Sequence, residues 1–468
     1  MFKNYNQNKS VLIQGGLIVN AESQAKQDIL IRGEKIVEIN SQLKTGDRNL
    51  TTIDAHGMII FPGGVDPHVH LTYPDSAHDS EHWVDDLTRG SHAALAGGIT
   101  TMGNISFPEL GESPLDTIRR DAFKVEKEAI CDIFIHPVIF YPTDIVIHQL
   151  PKLANLGHTS IKIFMPSLEY DQQSYAFTRL IKMAGDSGIL TMMHCEDFSI
   201  ISMRTHQLTA NGCSSLKYYA ESRPVISELV AVQRAIAVCE TTGSPIYIVH
   251  LSSRRALEAC IVAQKKSLPI YVETRPIYLH LTQEKYLNPD GAIYVGQPPL
   301  RSHKDVKALW HGLKAGSIQT VATDHAPWKR DQKLDPSLNL NKLRPGVNNL
   351  QVMLPMLYSE GVLKEKISNH KFVELTSTNA AKLFGLYPRK GIIAVGSDAD
   401  LAIWNPKLHK PIKNKDIFSR AGFSIYQDWE VTGWPILVLR RGEIVYQHGR
   451  ILGEPGSGQI VFRNKCDF

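Results

Sequence analysis

Short apolar runs that end on a polar residue recur along the middle of the chain. Residues 189–193 lead to His194, residues 245–249 to His250 and residues 319–323 to Asp324. Bounded apolar runs of this length are typical of buried strands. The other runs of this kind are residues 59–61, leading toward Asp66 and His68, and residues 100–104, 132–136, 159–165 and 269–273. The pattern therefore predicts eight strands.

Helical patterning lies between these runs. Residues 227–240 place Leu229, Val232, Ala235 and Ile236 on one apolar face. Strand and helix alternate from about residue 60 to about residue 390, which predicts an α/β fold, a (β/α)8 TIM-like barrel. Catalytic groups in such barrels stand at the carboxyl ends of the strands, so the polar residues that end the runs are the first candidates for a functional site.

The two ends of the chain have a different pattern, with short β-rich stretches and turns. Residues 28–37 and residues 436–445 each have the pattern of a hairpin around an Arg-Gly-Glu sequence. Two such hairpins predict one small β-sandwich assembled from both termini; two unrelated surface hairpins are the alternative. We therefore divide the chain into residues 1–60 (first part of the sandwich), 61–392 (barrel) and 393–468 (second part and tail).

Composition narrows the function classes. The 468 residues are 43% hydrophobic and 21% charged, with a formal net charge of +4. No stretch combines clustered basic residues with aromatic residues, so the sequence does not support nucleic-acid binding. Residues 1–9 lack the apolar core of a signal peptide, and no apolar run approaches the roughly 18 residues of a membrane span. We expect a cytoplasmic protein. The six cysteines show no paired spacing and are interpreted as free thiols: Cys131, Cys195, Cys213, Cys239, Cys260 and Cys466.

Four histidines and one aspartate are candidate metal ligands. His68 and His70 are two residues apart, so on a strand both rings point to the same side and can reach one ion. His194 and His250 end different strands and can reach a second ion. Each residue alone has an ordinary interpretation, as a core histidine or, for Asp324, a helix cap. Their shared position at strand ends favours a metal site, with Asp324 as both ligand and catalytic proton carrier.

Lys162 is an unusual residue among these candidate metal ligands. A charged ammonium buried beside divalent cations is opposed by desolvation and by repulsion. Reaction of the neutral amine with carbon dioxide would give an anionic carbamate that can bridge two metals as a glutamate would. The alternative is a lysine that pairs with an acidic neighbour outside the site.

With these residues in place, the chain resembles the dihydropyrimidinase and hydantoinase family of cyclic amidohydrolases, within the metal-dependent amidohydrolase superfamily. The resemblance covers nearly the whole chain. The motifs that carry it are residues 64–71 (GVDPHVHL), 160–165 (SIKIFM), 193–196 (MHCE), 249–252 (VHLS), 297–301 (QPPLR), 323–327 (TDHAP), 377–391 and 395–401.

The resemblance implies a binuclear-metal hydrolase. One ion, usually zinc, would be held by His68, His70, carboxylated Lys162 and Asp324, and the other by Lys162, His194 and His250. A hydroxide that bridges the metals attacks the ring carbonyl of a dihydropyrimidine or hydantoin, Asp324 shuttles the proton to the departing nitrogen, and the product is an N-carbamoyl amino acid. The resemblance also implies a homo-oligomer, a tetramer in that family.

Several substrate positions depart from the family pattern. Dihydroorotases have an arginine for the substrate carboxylate where this chain has Thr72, which disfavours dihydroorotate. The family's oxyanion-stabilising tyrosine is replaced by Ser167, with Tyr170 three residues further on. Gln297 and Pro345 replace other residues expected to contact substrate.

Residues 325–347 predict a long loop, either a lid over the site or a surface excursion. An allantoinase-like or other cyclic amidase and a non-catalytic scaffold homologue are the alternative functions.

Overall fold

The computed structural model describes residues 10–47, 49–76 and 82–465. The strands are β1 (Ser10–Val19), β2 (Gln24–Arg32), β3 (Lys35–Asn40), β4 (Leu50–Asp54), β5 (Ile59–Pro62), β6 (Gly64–Val69), β7 (Ile99–Ser106), β8 (Asp132–Pro137), β9 (Ser160–Phe164), β10 (Leu190–His194), β11 (Ile246–Ile248), β12 (Ile270–Thr274), β13 (Thr320–Val321), β14 (Leu401–Pro411), β15 (Glu430–Arg440), β16 (Glu443–Gln447) and β17 (Arg450–Ile451). They form a barrel and a terminal sheet.

The α-helices surround the barrel strands or follow the last of them. They are α1 (Leu87–Ala96), α2 (Pro114–Glu128), α3 (Asp144–Asn155), α4 (Leu168–Gln172), α5 (Ser174–Asp186), α6 (Phe198–Ala210), α7 (Tyr219–Ser222), α8 (Val225–Thr242), α9 (Arg254–Lys265), α10 (Pro276–His280), α11 (His303–Ala315), α12 (Arg330–Lys333), α13 (Met353–Leu357), α14 (Asn369–Val373) and α15 (Asn379–Leu383). Wider π-helical turns extend α13 over Tyr358–Val362 and join α14 to α15 over Glu374–Thr378.

Eight parallel strands, β6 to β13, form the barrel. Strands β6 to β8 make a three-stranded sheet and β9 to β13 a five-stranded sheet. Backbone bridges join the two sheets at both seams: His70 N donates to His325 O at 2.9 Å, and Ile139 N donates to Lys162 O at 2.9 Å. The predicted α/β barrel is confirmed.

One expected barrel strand is placed elsewhere. Residues 59–61 lie in β5, which pairs with β1 and β14 of the terminal sheet. The first barrel strand is β6, Gly64–Val69, whose six residues are all buried. The predicted domain limits stay predictions, and β5 spans the first of them.

Strands from both ends of the chain form one nine-stranded, mostly antiparallel sheet. Its hydrogen-bonded order is β17-β16-β15-β14-β5-β1-β2-β3, with β4 beside β1. Ile36 of β3 and Leu437 of β15 lie far apart in this order yet share one apolar core with Ile13. The sheet therefore curls around its own core, and the alternative of two unrelated hairpins is wrong.

The remaining sequence expectations concern cysteines and membranes. The five described cysteines are free thiols, whereas Cys466 and residues 1–9 lie outside the described residues. In the described part of the chain, no helix combines the length and apolar character needed to cross a membrane.

Candidate functional site

The barrel brings all six predicted ligands to the carboxyl ends of its strands. His68 lies on β6 with His70 just beyond it, Lys162 lies on β9 and His194 ends β10. The two others are His250, just after β11, and Asp324, just after β13. All six are buried, so the polar strand ends are enclosed in one place.

His68, His70 and Asp324 form a compact ligand group. Their ligand atoms all lie within 4.8 Å of one another. Asp324 Oδ1 is 2.8 Å from His70 Nε2 and 3.3 Å from His68 Nε2. His68 Nδ1 donates to Glu273 Oε1 at 2.9 Å, which leaves the lone pair of His68 Nε2 directed at the group. Two imidazoles and one carboxylate suit a zinc-like ion.

His194 and His250 form a second group beside the first. Their ring centroids are 4.4 Å apart, and the His250 ring is 5.6 Å from that of His68. His194 Nε2 is 2.8 Å from Glu196 Oε2, so Nδ1 is the ring nitrogen that Glu196 does not engage. The Nδ1 atoms of His70 and His250 are buried and, within the described parts of the chain, have no hydrogen-bond partner. Two neighbouring imidazoles are a donor set that suits a second zinc-like ion.

Burial sets the charge of the ligands. Desolvation lowers the pKa of His68 and His250 well below the usual value, and the neutral ring is the form that binds metal. Burial alone would raise the pKa of Asp324, but Arg275, His68 and His70 outweigh it and hold the pKa well below the usual range. The carboxylate is therefore ionised.

Lys162 is fully buried between the two groups. Its Nζ lies 3.4 Å from His68 Nε2 and 5.0 Å from the centroid of the Phe164 ring. Burial lowers its pKa to about 8, although the carboxylates of Asp324 and Glu273 oppose that shift. The alternative of an ion pair outside the site is wrong, because the amine faces the ligand cluster.

The backbone is strained at two ligands. His250 has a φ of 41° and Asp324 a φ of 47°, the left-handed region that non-glycine residues rarely adopt. Strain of this kind is found where the surrounding structure imposes it, often at functional sites. Both residues follow a short strand, β11 or β13, and turn sharply toward the centre of the barrel mouth.

The predicted oxyanion positions have different surroundings. Ser167 caps α4, with its Oγ accepting from Tyr170 N at 3.2 Å. The Tyr170 ring is buried 4.9 Å from the Phe177 ring and 4.7 Å from the Arg234 guanidinium. Burial raises the pKa of Tyr170 to about 12.

Gln297 and Pro345 lie on segments that are held together. Gln297 is half-buried, and the Pro345 carbonyl accepts from Trp328 Nε1 at 2.8 Å. Lys333 Nζ donates to Val295 O at 2.8 Å and to Gly346 O at 2.6 Å. The 325–347 loop is therefore fastened to the segment that precedes Gln297.

Aromatic rings surround the first ligand group. The His70 ring is 5.1 Å from Trp83, and Phe107 is 5.7 Å from both Trp83 and Phe164. Phe164 is in turn 5.7 Å from His194. We call Trp83, Phe107 and Phe164 the aromatic wall. Flat apolar rings at this position suit a planar heterocycle and limit water near the ligands.

Sequence reasoning missed the residues that hold the ligands. Glu273 orients His68, and the Glu196 carboxylate pairs with Arg223 at 2.5 Å while contacting His194. Burial alone would raise the pKa of Glu196, but Arg223 and His194 lower it to about 2. The available signal was a charged residue at a buried strand end, the same signal that identified the ligands.

Comparison with known proteins assigns the family. The amidohydrolase family model matches residues 59–445. The chain is 36% identical to the D-hydantoinase of Geobacillus stearothermophilus over 459 residues, covering 97% of this chain and 96% of that protein.

Two solved structures cover 98% of this chain and 100% of their own. They are the dihydropyrimidinase from Brevibacillus agri NCHU1002 (33% identity, TM-score 0.92) and the D-hydantoinase (dihydropyrimidinase) from Thermus sp. (32% identity, TM-score 0.93). These likenesses confirm the prediction of a cyclic amidohydrolase. The chain belongs to the amidohydrolase family, in its hydantoinase and dihydropyrimidinase branch.

Proposed function

We propose that the protein opens the ring of a hydantoin or dihydropyrimidine by hydrolysis, releasing an N-carbamoyl amino acid. The observation that carries this proposal is the enclosure of all six predicted ligands at one barrel mouth, in a chain of the hydantoinase branch.

Two divalent ions, zinc by the donor set, would be held at this site. His68, His70, Asp324 and carboxylated Lys162 would bind one, and Lys162, His194 and His250 the other. Bound there, the metals would supply an activated water at neutral pH and polarise the ring carbonyl. Lys162 supports the carbamate, because its buried amine has a pKa near 8 and the neutral form reacts with carbon dioxide.

Asp324 is the proposed proton carrier. Its Oδ1 faces His68 and His70, so a proton taken from the attacking water can pass on the same side to the departing ring nitrogen. Glu273 and Glu196 fix the orientation of His68 and His194. The aromatic wall would hold the flat ring and exclude bulk water during the transfer.

The residues at the predicted substrate positions support this substrate class. The Thr72 hydroxyl is engaged with Asp121 and accepts from Asn104 Nδ2 at 2.7 Å, which supports the argument against a carboxylate-bearing dihydroorotate. The Ser167 oxygen accepts one bond as the α4 cap, and within the described part of the chain its hydroxyl donates to no other residue, so it can donate to a substrate. We therefore propose Ser167 as the oxyanion donor, since the Tyr170 ring is buried against Phe177 and Arg234. Contacts of Gln297 and Pro345 with substrate stay predictions.

Ring-opening assays on dihydrouracil, hydantoin, 5-substituted hydantoins, allantoin and dihydroorotate test the proposal. We expect turnover of hydantoins or dihydrouracil. Turnover of dihydroorotate alone would overturn the argument from Thr72, and turnover of allantoin alone would favour the allantoinase-like alternative. A purified protein that binds well under one equivalent of zinc, manganese or cobalt, even with bicarbonate, would favour the scaffold alternative.

The bridging role of Lys162 has a separate test. The Lys162→Ala variant should lose metal and activity, and short-chain carboxylic acids should partly restore both by replacing the carbamate. Full activity of the unsupplemented variant would contradict the bridge. The cytoplasmic location expected from the sequence and the homotetramer implied by the family resemblance stay predictions.

A further inference from the structure

Arg275 is a fully buried arginine beside the proposed proton carrier. It follows β12 directly, two residues after Glu273, and has no exposed surface. Its Nη1 lies 2.8 Å from Asp324 Oδ2, a close ion pair without the alignment of a hydrogen bond. Its Nε donates to Thr323 O at 3.2 Å and its Nη2 to Asp324 O at 3.5 Å. One guanidinium therefore holds both the side chain and the backbone of Asp324.

The backbone that Arg275 holds is the strained one. Asp324 has a φ of 47°, a conformation that costs a non-glycine residue free energy unless its surroundings impose it. The carbonyls of Thr323 and Asp324 flank that residue, and both accept from Arg275. The guanidinium is thus placed to stabilise the turn that brings the carboxylate into the ligand cluster.

The carboxylate itself is divided between two partners. Oδ1 faces His70 and His68, whereas Oδ2 faces Arg275. Among the described residues, Asp324 is the one carboxylate that pairs with Arg275. The guanidinium has little room to move, because it lies 5.6 Å from the Tyr278 ring and a Cβ added to Gly296 would lie 3.1 Å from Nη1.

We propose that Arg275 is a positioning residue that fixes Asp324 in its strained conformer and leaves Oδ1 as the single oxygen available for chemistry. The inference rests on the proposed function for its kinetic consequence. Lysine at this position would keep the charge but lack the planar fork needed to bind a carboxylate and two carbonyls together. The role therefore belongs to arginine specifically.

The test compares Arg275→Lys and Arg275→Met in the zinc-loaded enzyme. We expect the methionine variant to lose about 10–100-fold in kcat, the range seen when a residue supporting a metal ligand is removed, with KM and zinc content unchanged. The kcat of the lysine variant should lie between that of the methionine variant and that of the wild type. A lower kcat with an unchanged KM marks an interaction that is needed in the transition state and not for substrate binding.

Arg440→Met is the matched control, because Arg440 is 1% exposed and bonded to Ser457 Oγ at 3.0 Å in the terminal sheet. It should lower stability and leave kcat unchanged.

A crystal structure of Arg275→Met, or of Arg275→Lys if the first does not fold, gives a readout without substrate: Asp324 should leave its positive φ or rotate Oδ2. An unchanged Asp324 conformer, or a kcat within about twofold of wild type, would overturn the inference. Lack of ring opening by the wild type would count against the proposed function instead.

Discussion

Replacing Lys162 by methionine should make the metal-free protein more stable while removing its function. Lys162→Met deletes the ammonium and leaves an unbranched apolar side chain that is one heavy atom shorter. In the absence of metal and carbon dioxide, the wild-type amine is fully buried and lies 3.4 Å from His68 Nε2. Among the described residues, no carboxylate forms an ion pair with it. A buried charge without a close counter-ion opposes folding.

The size of the effect follows from the pKa of Lys162. Burial lowers that pKa from 10.5 to about 8, and a tenfold change in acidity corresponds to about 1.4 kcal/mol, so the ammonium costs the fold about 3 kcal/mol at pH 7. Between pH 8 and 10.5 the folded protein binds fewer protons than the unfolded chain, so wild-type stability rises with pH there. The advantage of the variant should therefore be full below pH 8 and vanish above 10.5.

Urea unfolding of both proteins, freed of metal and carbon dioxide, measures this difference at pH 7 and at pH 10. Lys413→Met is the control: Lys413 is 42% exposed and paired with Asp428, so its loss should leave the free energy of unfolding close to that of the wild type. A Lys162→Met protein no more stable than wild type at pH 7 would refute the reasoning. A difference in the free energy of unfolding that is as large at pH 10 as at pH 7 would also refute it.

Three further predictions concern other parts of the molecule. Lys390 pairs with three buried aspartates, so Lys390→Met should cost about 3–5 kcal/mol in urea unfolding, and a loss below about 1 kcal/mol would contradict the buried network. Glu196→Gln should weaken zinc affinity about 10–100-fold by loosening His194, measured by titration of metal-free protein; an unchanged affinity would count against that role. Gly346 has a φ of 123°, and an added Cβ would lie 2.2 Å from Ala326 O. Gly346→Ala should therefore lower the melting temperature, and an unchanged value would show that the loop yields easily.

The barrel could be predicted because its strands are buried on both faces and appear in the sequence as apolar runs. The same property explains the misplaced run at residues 59–61. Ile60 packs in the core of the terminal sheet, while Ile59 and Phe61 face the main core. A strand between two cores has the same sequence pattern as a barrel strand, and only its pairing with β1 and β14 distinguishes it.

The ligands could be predicted because each lies on a barrel strand or just after one, but their supporting residues could not. Glu273 and His68 are 205 positions apart, so no local spacing reports their contact. Arg275 has the same difficulty, since its role depends on the turn at Asp324. The sequence position of Ser167 and Tyr170 makes both of them candidates for the oxyanion donor. The structure distinguishes them, because Ser167 caps α4 whereas the Tyr170 ring is buried.

The seams of the barrel lie at the site. The three-stranded sheet supplies His68 and the five-stranded sheet supplies Lys162. The backbone hydrogen bonds that close the barrel involve two ligands, Lys162 and His70, and also His325, which follows Asp324. Ions bound by ligands from both sheets would therefore link the two sheets at the two seams, where few backbone hydrogen bonds join them. Metal occupancy and closure of the barrel would then be thermodynamically linked. By mass action, the free metal concentration would set the stability of the contact between the two sheets. Chelation should then speed amide exchange first along those joints and leave the terminal sheet protected.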